Sequence, residues 1–333
     1  MRRSILVPIG IAVSAGMLWF ALRDADFAAI GSSLKQADLL WSLPFLVALF
    51  VFYWLKAVRW RDLLATAVPT RAGELFPSVM IGYAGTAVLP MQMGELVRAY
   101  IVGKRYSLPY SLVLSSIGME RIFDLLTILL LLGLTLASGQ ATPDILVKAG
   151  YIIGIIVLAS LIIAFWLVLK SESALKLARK LTSWMPSKYS DLLVALLESV
   201  VRGFESIRKP RLAFRIAAYS LIQWALMGGC IGLSLAALHI DVPISGVVLV
   251  LVATILAISL PTSPGYIGNI QFAFVIALQP FGIEPALAVA ASAFYHVLAY
   301  VAVVVVGFAY LHATGYGMLQ LRNEAQAATT DQE

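Results

Sequence analysis

The sequence predicts an all-α polytopic membrane protein of about six transmembrane helices plus two re-entrant helical hairpins, arranged as an inverted-topology repeat. Three observations predict it. Of 333 residues 61% are hydrophobic and only 13% charged, with a mean hydropathy of +0.91, outside the range of soluble domains. Six apolar segments are long enough, at about 1.5 Å per residue, to cross a hydrocarbon core roughly 30 Å thick. Two further apolar stretches are interrupted in the middle by Pro and Gly, leaving halves too short to cross.

The first repeat occupies 1–138. Its helix at 4–22 follows a short basic start and reads as an uncleaved anchor: the apolar stretch is long for a signal peptide, and no small-x-small cleavage site follows. Residues 26–38 form a short amphipathic stretch, 39–60 the next crossing and 107–138 the third. Between the last two, 73–105 breaks at LPMQMG, with Pro90 and Gly94 as turn residues. The second repeat, 139–318, places helices at 148–169, 213–237 and 285–312. Its linker 170–211 alternates charged and apolar residues, as helices lying along headgroups do. Its hairpin, 244–281, breaks at LPTSPGYIG, with Pro261, Pro264, Gly265 and Gly268 at the turns. The polar, small-residue-rich tail 319–333 is predicted to be disordered.

Basic residues sort by loop, as they do in membrane proteins. They fall at Arg2 and Arg3, at Lys56, Arg59, Arg61 and Arg71, at Arg98, Lys104 and Arg105, and densely from Lys170 to Arg215, whereas the intervening loops hold only Arg23, Lys35 and Lys148. With both termini cytoplasmic, six crossings meet this pattern if 73–105 enters from and returns to the cytoplasm, and 244–281 does the same from outside. Irregular backbone at that depth survives only where protein or a water-filled cavity satisfies its peptide groups, so the two hairpins are expected to share one interior. Leu89, Pro90 and Gly94 align with Leu260, Pro261 and Gly265 at an offset of 171. After a five-residue insertion Pro109, Ser116 and Glu120 align with Pro285, Ser292 and His296, the mark of an inverted repeat.

The stretch SIGMERIFDLL supplies the candidate site. The apolar run after Asp124 is too short to cross alone, which draws Glu120, Arg121 and Asp124 into the bilayer, where each charge costs about 2.5–3.5 kcal/mol. Helical spacing makes an internal Arg121–Asp124 pair available with one surplus carboxylate. Such groups either lock the hairpin to its neighbour or line a pathway. Glu95 and Arg98 follow the Gly94 turn, where a helix N-terminus and a guanidinium suit phosphate. Arg98 is the leading phosphate ligand, its alternative being an ordinary residue of the positive cytoplasmic face. Ser263, Asn269 and Gln271 offer uncharged polar groups at the second break, and His296 is either a hydrogen-bonded packing residue or a proton carrier. Trp19, Trp41, Trp54, Trp60 and the tyrosines read as interface anchors.

The single cysteine, Cys230, excludes an intrachain disulfide. Walker, HExxH, Cys/His and hydrolase-elbow patterns are absent, so neither cofactor nor metal is expected, and no enzymatic activity. The net charge of +6 is accounted for by orientation rather than nucleic acid.

GELVRAYIVGKRYSLPYSLVLSSIGMERIFDLL and LPTSPGYIGNIQFAFVIAL resemble the two signature regions of the lysylphosphatidylglycerol synthase transmembrane, or flippase-like, family, over about 5–313. The pattern carries over at Gly94, Glu95 and Arg98, at Glu120, Arg121 and Asp124, and at Pro261, Pro264, Gly265 and Gly268. It departs at Tyr266, where a second glycine is common, and at Gln271, where an acidic residue is common. Loss of that carboxylate counts against a cationic, lysylated headgroup. It implies movement of a polar-headgroup lipid (phospholipid, aminoacyl-phospholipid, hopanoid or polyprenol-linked glycolipid) between leaflets of a bacterial inner membrane. The resemblance does not extend to the soluble synthase domain of bifunctional members, so synthesis is not expected of these residues. Expected partners are membrane lipid, and a lipid-modifying enzyme or a second copy. The alternative expectation is a non-transporting membrane scaffold for such an enzyme; a membrane-embedded transferase using Glu120 or Asp124 as base ranks below both.

Overall fold

The computed structural model describes residues 3–23, 25–65, 67–89, 93–137, 139, 141–169, 210–259, 263–314 and 324, the side chains of 3–10 and 160–169 apart. Among them every regular element is helical, as the composition predicts: α1 (Arg3–Leu22), α2 (Phe27–Lys35), α3 (Ser42–Leu64), α4 (Ala72–Val88), α5 (Gly94–Tyr106), α6 (Tyr110–Ala137), α7 (Asp144–Leu169), α8 (Pro210–Ala237), α9 (Ile244–Ile258), α10 (Asn269–Leu278) and α11 (Pro285–Thr314). The linker expectation before Pro210, Pro90, Pro261 and the tail other than Glu324 fall outside the described residues.

Local chemistry sets the boundaries. Asp26 caps α2 by accepting the Ala28 N–H at 2.8 Å, and the Glu74 carboxylate accepts the Arg71 N–H at 3.1 Å before α4. The third crossing starts at Tyr110 rather than 107, because Ser107 is left-handed (φ 52°) and Pro109 follows. The second runs on to Leu64, four residues past the expected end.

Among the described residues, Leu39–Leu64, Pro210–Ala237 and Pro285–Thr314 are long and apolar enough to cross a membrane. Their outward faces are apolar: on α11, Val297, Val301, Val305 and Phe308 recur at helical spacing and are exposed, while Ala291, Phe294, Tyr295 and Val303 turn inward. The chain is thus a multi-pass α-helical membrane protein.

In both halves the order is long helix, short helix, break, short helix, long helix: α3, α4, α5, α6 and α8, α9, α10, α11. The halves interlock, α3 packing on α8 and α4 on α11. The two breaks are neighbours, since a Cβ on Gly265 would stand 3.5 Å from the Ala87 carbonyl oxygen at the end of α4. At Gly94 a Cβ would overlap the Gly82 carbonyl oxygen and the Thr86 nitrogen, so this glycine serves close approach of α4 and α5 rather than a special turn angle.

α1 is part of this packing. Ser14 Oγ donates to Asn269 Oδ1 and accepts the Ser263 N–H, each at 2.8 Å, tying α1 to both sides of the second break. Ser14→Ala removes both bonds and leaves buried polar atoms, so it is expected to cost about 1–3 kcal/mol, read as a lowered unfolding midpoint in detergent.

Two sequence expectations are corrected here. Trp60 is no interface anchor: it is fully buried and donates its indole N–H to Ser116 Oγ at 2.9 Å, and Tyr53 and Tyr295 are likewise interior. Lys56 and Arg59, counted with the cytoplasmic basic residues, are 2% and 0% exposed, because α3 continues beyond them to Leu64.

Candidate functional site

Residues three and four apart on α3, Phe52, Lys56, Arg59 and Leu63, share one face turned toward α6. On α6, Glu120 and Asp124 do the same in return. The Arg59 guanidinium grips Asp124 with both terminal nitrogens, at 2.6 and 3.2 Å, and donates to Ser220 Oγ on α8 at 2.7 Å. Lys56 Nζ reaches Asp124 at 3.3 Å, and the Trp224 indole N–H donates to the same carboxylate at 3.2 Å. Asp124 therefore binds α3, α6 and α8 together, across both halves of the chain.

The expected Arg121–Asp124 pair is not made. Asp124 is taken by Lys56 and Arg59, and Arg121, one residue off the Glu120–Asp124 face, pairs with Glu95 on α5 instead. Arg98 pairs with Glu120 and lies over the Trp60 ring, its guanidinium carbon 4.3 Å from the ring centre. Its Nε and Nη1 have no hydrogen-bond partner among the described residues. Arg59 Nη2 also stands 3.8 Å from Glu120. Four cations, Lys56, Arg59, Arg98 and Arg121, thus face three carboxylates, Glu95, Glu120 and Asp124.

Beside this cluster lies a cavity of ≈ 160 Å³. Both halves wall it: Tyr53, Lys56, Tyr83 and Arg121 from the first, and Trp224, Thr254, Gly265, Tyr266, Tyr295 and His296 among others from the second. Lys56 enters it through an aromatic collar, its ammonium 5.2, 5.6 and 5.8 Å from the ring centres of Phe52, Tyr83 and Trp224. The floor is apolar, with Leu49, Ile255, Ile258 and Val303.

At the second break the polar groups fix backbone. Gly268 N–H donates to Gln271 Oε1 at 2.8 Å, which orients the amide so that Nε2 donates to His296 Nδ1 at 3.3 Å. His296 Nε2 consequently carries the proton, donated to the Gly265 carbonyl at 2.7 Å. Positive φ at Gly265 (73°) and Gly268 (93°) gives the chain the two reversals this needs, with Pro264 between Ser263 and the first of them. Asn269, fully buried, donates to the Ala257 carbonyl at 2.8 Å.

Of the sequence candidates, Arg121, Gly265 and His296 line the cavity. Glu95, Arg98, Glu120 and Asp124 stand behind it as the charge cluster, and Ser263, Asn269 and Gln271 hold the break. The leading phosphate ligand, Arg98, is spent on Glu120 and Trp60 and lies off the cavity wall. Sequence reasoning missed Lys56, Arg59, Ser14, Thr254, Trp224 and the cavity tyrosines. Only the first two left a signal, the spacing 52, 56, 59, 63 on a helix that needed extending to 64. Among the described residues no group of His, Cys, Asp and Glu is placed to hold a metal ion.

The chain is 29% identical over 331 residues to the glycosyltransferase AglD of Haloferax volcanii, covering 86% of this chain and 52% of that one, so it spans about half the length of that relative. It is 23% identical to a UPF0104 membrane protein of Methanothermobacter thermautotrophicus, over 87% of this chain and 89% of that one. It is also 24% identical to a UPF0104 membrane protein of Methanocaldococcus jannaschii, over 66% and 90%. No solved structure matches the chain. Residues 7–307 match the family described as the lysylphosphatidylglycerol synthase TM region, and with nearly its whole length inside that match the chain belongs to this family of membrane proteins.

Proposed function

We propose that this chain moves a polar-headgroup lipid between leaflets, the headgroup passing through the cavity between the two breaks while the acyl or isoprenoid chains stay in the bilayer. One observation carries the reading: cationic side chains from the first half and hydroxylated ones from both converge on one cavity inside a bundle whose outer faces are apolar. Membership of a family of lipid-associated membrane proteins supports it. In this reading the two halves are inverted repeats entering from opposite sides. The chain sits in a bacterial inner membrane with both termini cytoplasmic. It works without cofactor or catalysis of its own, as a monomer or with a second copy.

The test is reconstitution in vesicles of phosphatidylcholine and phosphatidylglycerol with fluorescent headgroup-tailed lipid, following the fraction reduced by external dithionite. The wild-type chain should expose inner-leaflet label. Arg121→Ala, which strips a charge from the cavity wall without touching Asp124, should slow exposure at least roughly tenfold, as loss of a charge-assisted contact does. Equal rates with and without protein overturn the reading.

The kinship to a protein named a glycosyltransferase and about twice as long favours one other reading, a membrane partner for a lipid-modifying enzyme. That role predicts the opposite pattern: tolerance at Arg121, and loss of function on deleting the charged linker 170–211.

A further inference from the structure

We propose that the central cavity takes the phosphate of an anionic lipid headgroup between Lys56 and Arg121, and disfavours headgroups carrying an ammonium. The inference rests on reading this cavity as the headgroup passage and names the chemistry it accepts.

Among the described residues lining the cavity, the charged side chains are Lys56 and Arg121, and none is a carboxylate. The carboxylates nearby stand behind the wall and pair with cations there: Asp124 with Lys56 and Arg59 beside the Trp224 indole, Glu95 with Arg121, and Glu120 with Arg98, its Oε1 keeping no hydrogen-bond partner among the described residues. On the wall itself an entering ammonium meets two like charges and no carboxylate. The aromatic faces that attract a cation elsewhere already hold Lys56.

A phosphate finds complementary groups. Lys56 spends one of its three N–H donors on Asp124, and the guanidinium of Arg121 provides a planar fork. Thr254 points to the same occupant independently. It is 3% exposed, lines the cavity from α9, and its hydroxyl has no hydrogen-bond partner among the described residues. A buried hydroxyl left so is costly, and a phosphate oxygen accepts from it. His296, neutral and with both ring nitrogens engaged, adds no competing charge.

Native mass spectrometry tests this on the full chain in nanodiscs containing equal amounts of phosphatidylglycerol, a polyprenyl monophosphate and lysylphosphatidylglycerol. The first two separate the possible sources of the phosphate. The wild type should retain one or both over the lysylated lipid by roughly tenfold, the discrimination expected from one charge-assisted contact. Lys56→Met should abolish the preference, Lys56→Arg should keep it, and the isosteric Thr254→Val should weaken retention about threefold, as loss of one neutral hydrogen bond does. Lys148→Met, on the exposed start of α7, should change nothing. Should Lys56→Met fail to fold, Thr254→Val and Lys56→Arg carry the test.

Equal or preferential retention of the lysylated lipid overturns the inference, as does wild-type preference in a folded Lys56→Met, or no lipid retained at all. Failure of transport is distinguishable. Phosphate lipid retained without movement between leaflets removes the translocase reading and leaves this one. Movement with lysylated lipid favoured does the reverse.

Discussion

Asp124→Asn is expected to destabilise the chain by about 3–5 kcal/mol, the cost of breaking a buried ion pair and stranding its partner. The effect is large because one carboxylate answers two buried cations, Lys56 and Arg59, and an indole N–H at once. An amide of the same shape keeps the volume and loses the charge, and its NH₂ opposes a donor. Three helices lose their common anchor. Thermal unfolding in detergent, followed by Trp fluorescence, reads the effect. Pairing the change with Arg59→Met removes one stranded charge and should recover part of the loss, whereas Arg59→Met alone should not stabilise the wild type. A midpoint unchanged in Asp124→Asn contradicts the geometry of the cluster.

Gly268→Ala is expected to be nearly as damaging, by two causes that add. Its φ of 93° is a conformation that L side chains rarely adopt, costing about 1–3 kcal/mol. The new Cβ also overlaps the Ser14 carbonyl oxygen, with Leu18 Cβ at 3.0 Å, and overpacking of this kind costs about 1–3 kcal/mol more. α1 must shift away from the second break, releasing the Ser14 bonds to Ser263 and Asn269. A cysteine-reactive probe on Ser14→Cys, shielded in the wild-type background, should become reactive when Gly268→Ala is added. Unchanged shielding together with an unchanged midpoint contradicts this packing.

Much of the architecture was legible because its causes are local. Apolar runs and Pro–Gly interruptions act within a few residues of themselves and mark the helices and the breaks, whereas the left-handed stop at Ser107, which moves the third crossing to Tyr110, was not read. The charges Glu120 and Asp124 were legible as one helical face for the same reason. Their partners were not, since nothing within α6 says which helix will face it. Arg121 was assigned to Asp124 by spacing alone, whereas tertiary packing gave Asp124 two closer cations and sent Arg121 to Glu95. Lys56 and Arg59 looked like the basic flank of a crossing that ends at 60; one further turn of helix, to Leu64, makes them interior. Ser14 is a lone hydroxyl in an apolar helix, and its importance comes entirely from residues some 250 positions away.

The central claim is that a lipid headgroup travels through the cavity between the breaks, and filling that cavity tests it most directly. Ala299 lines the cavity and is small. In reconstituted vesicles with fluorescent phosphatidylglycerol, Ala299→Trp should give a chain with a wild-type unfolding midpoint and no transfer of label between leaflets, while the unaltered chain transfers it. Transfer at the unaltered rate by the folded, filled variant contradicts the account.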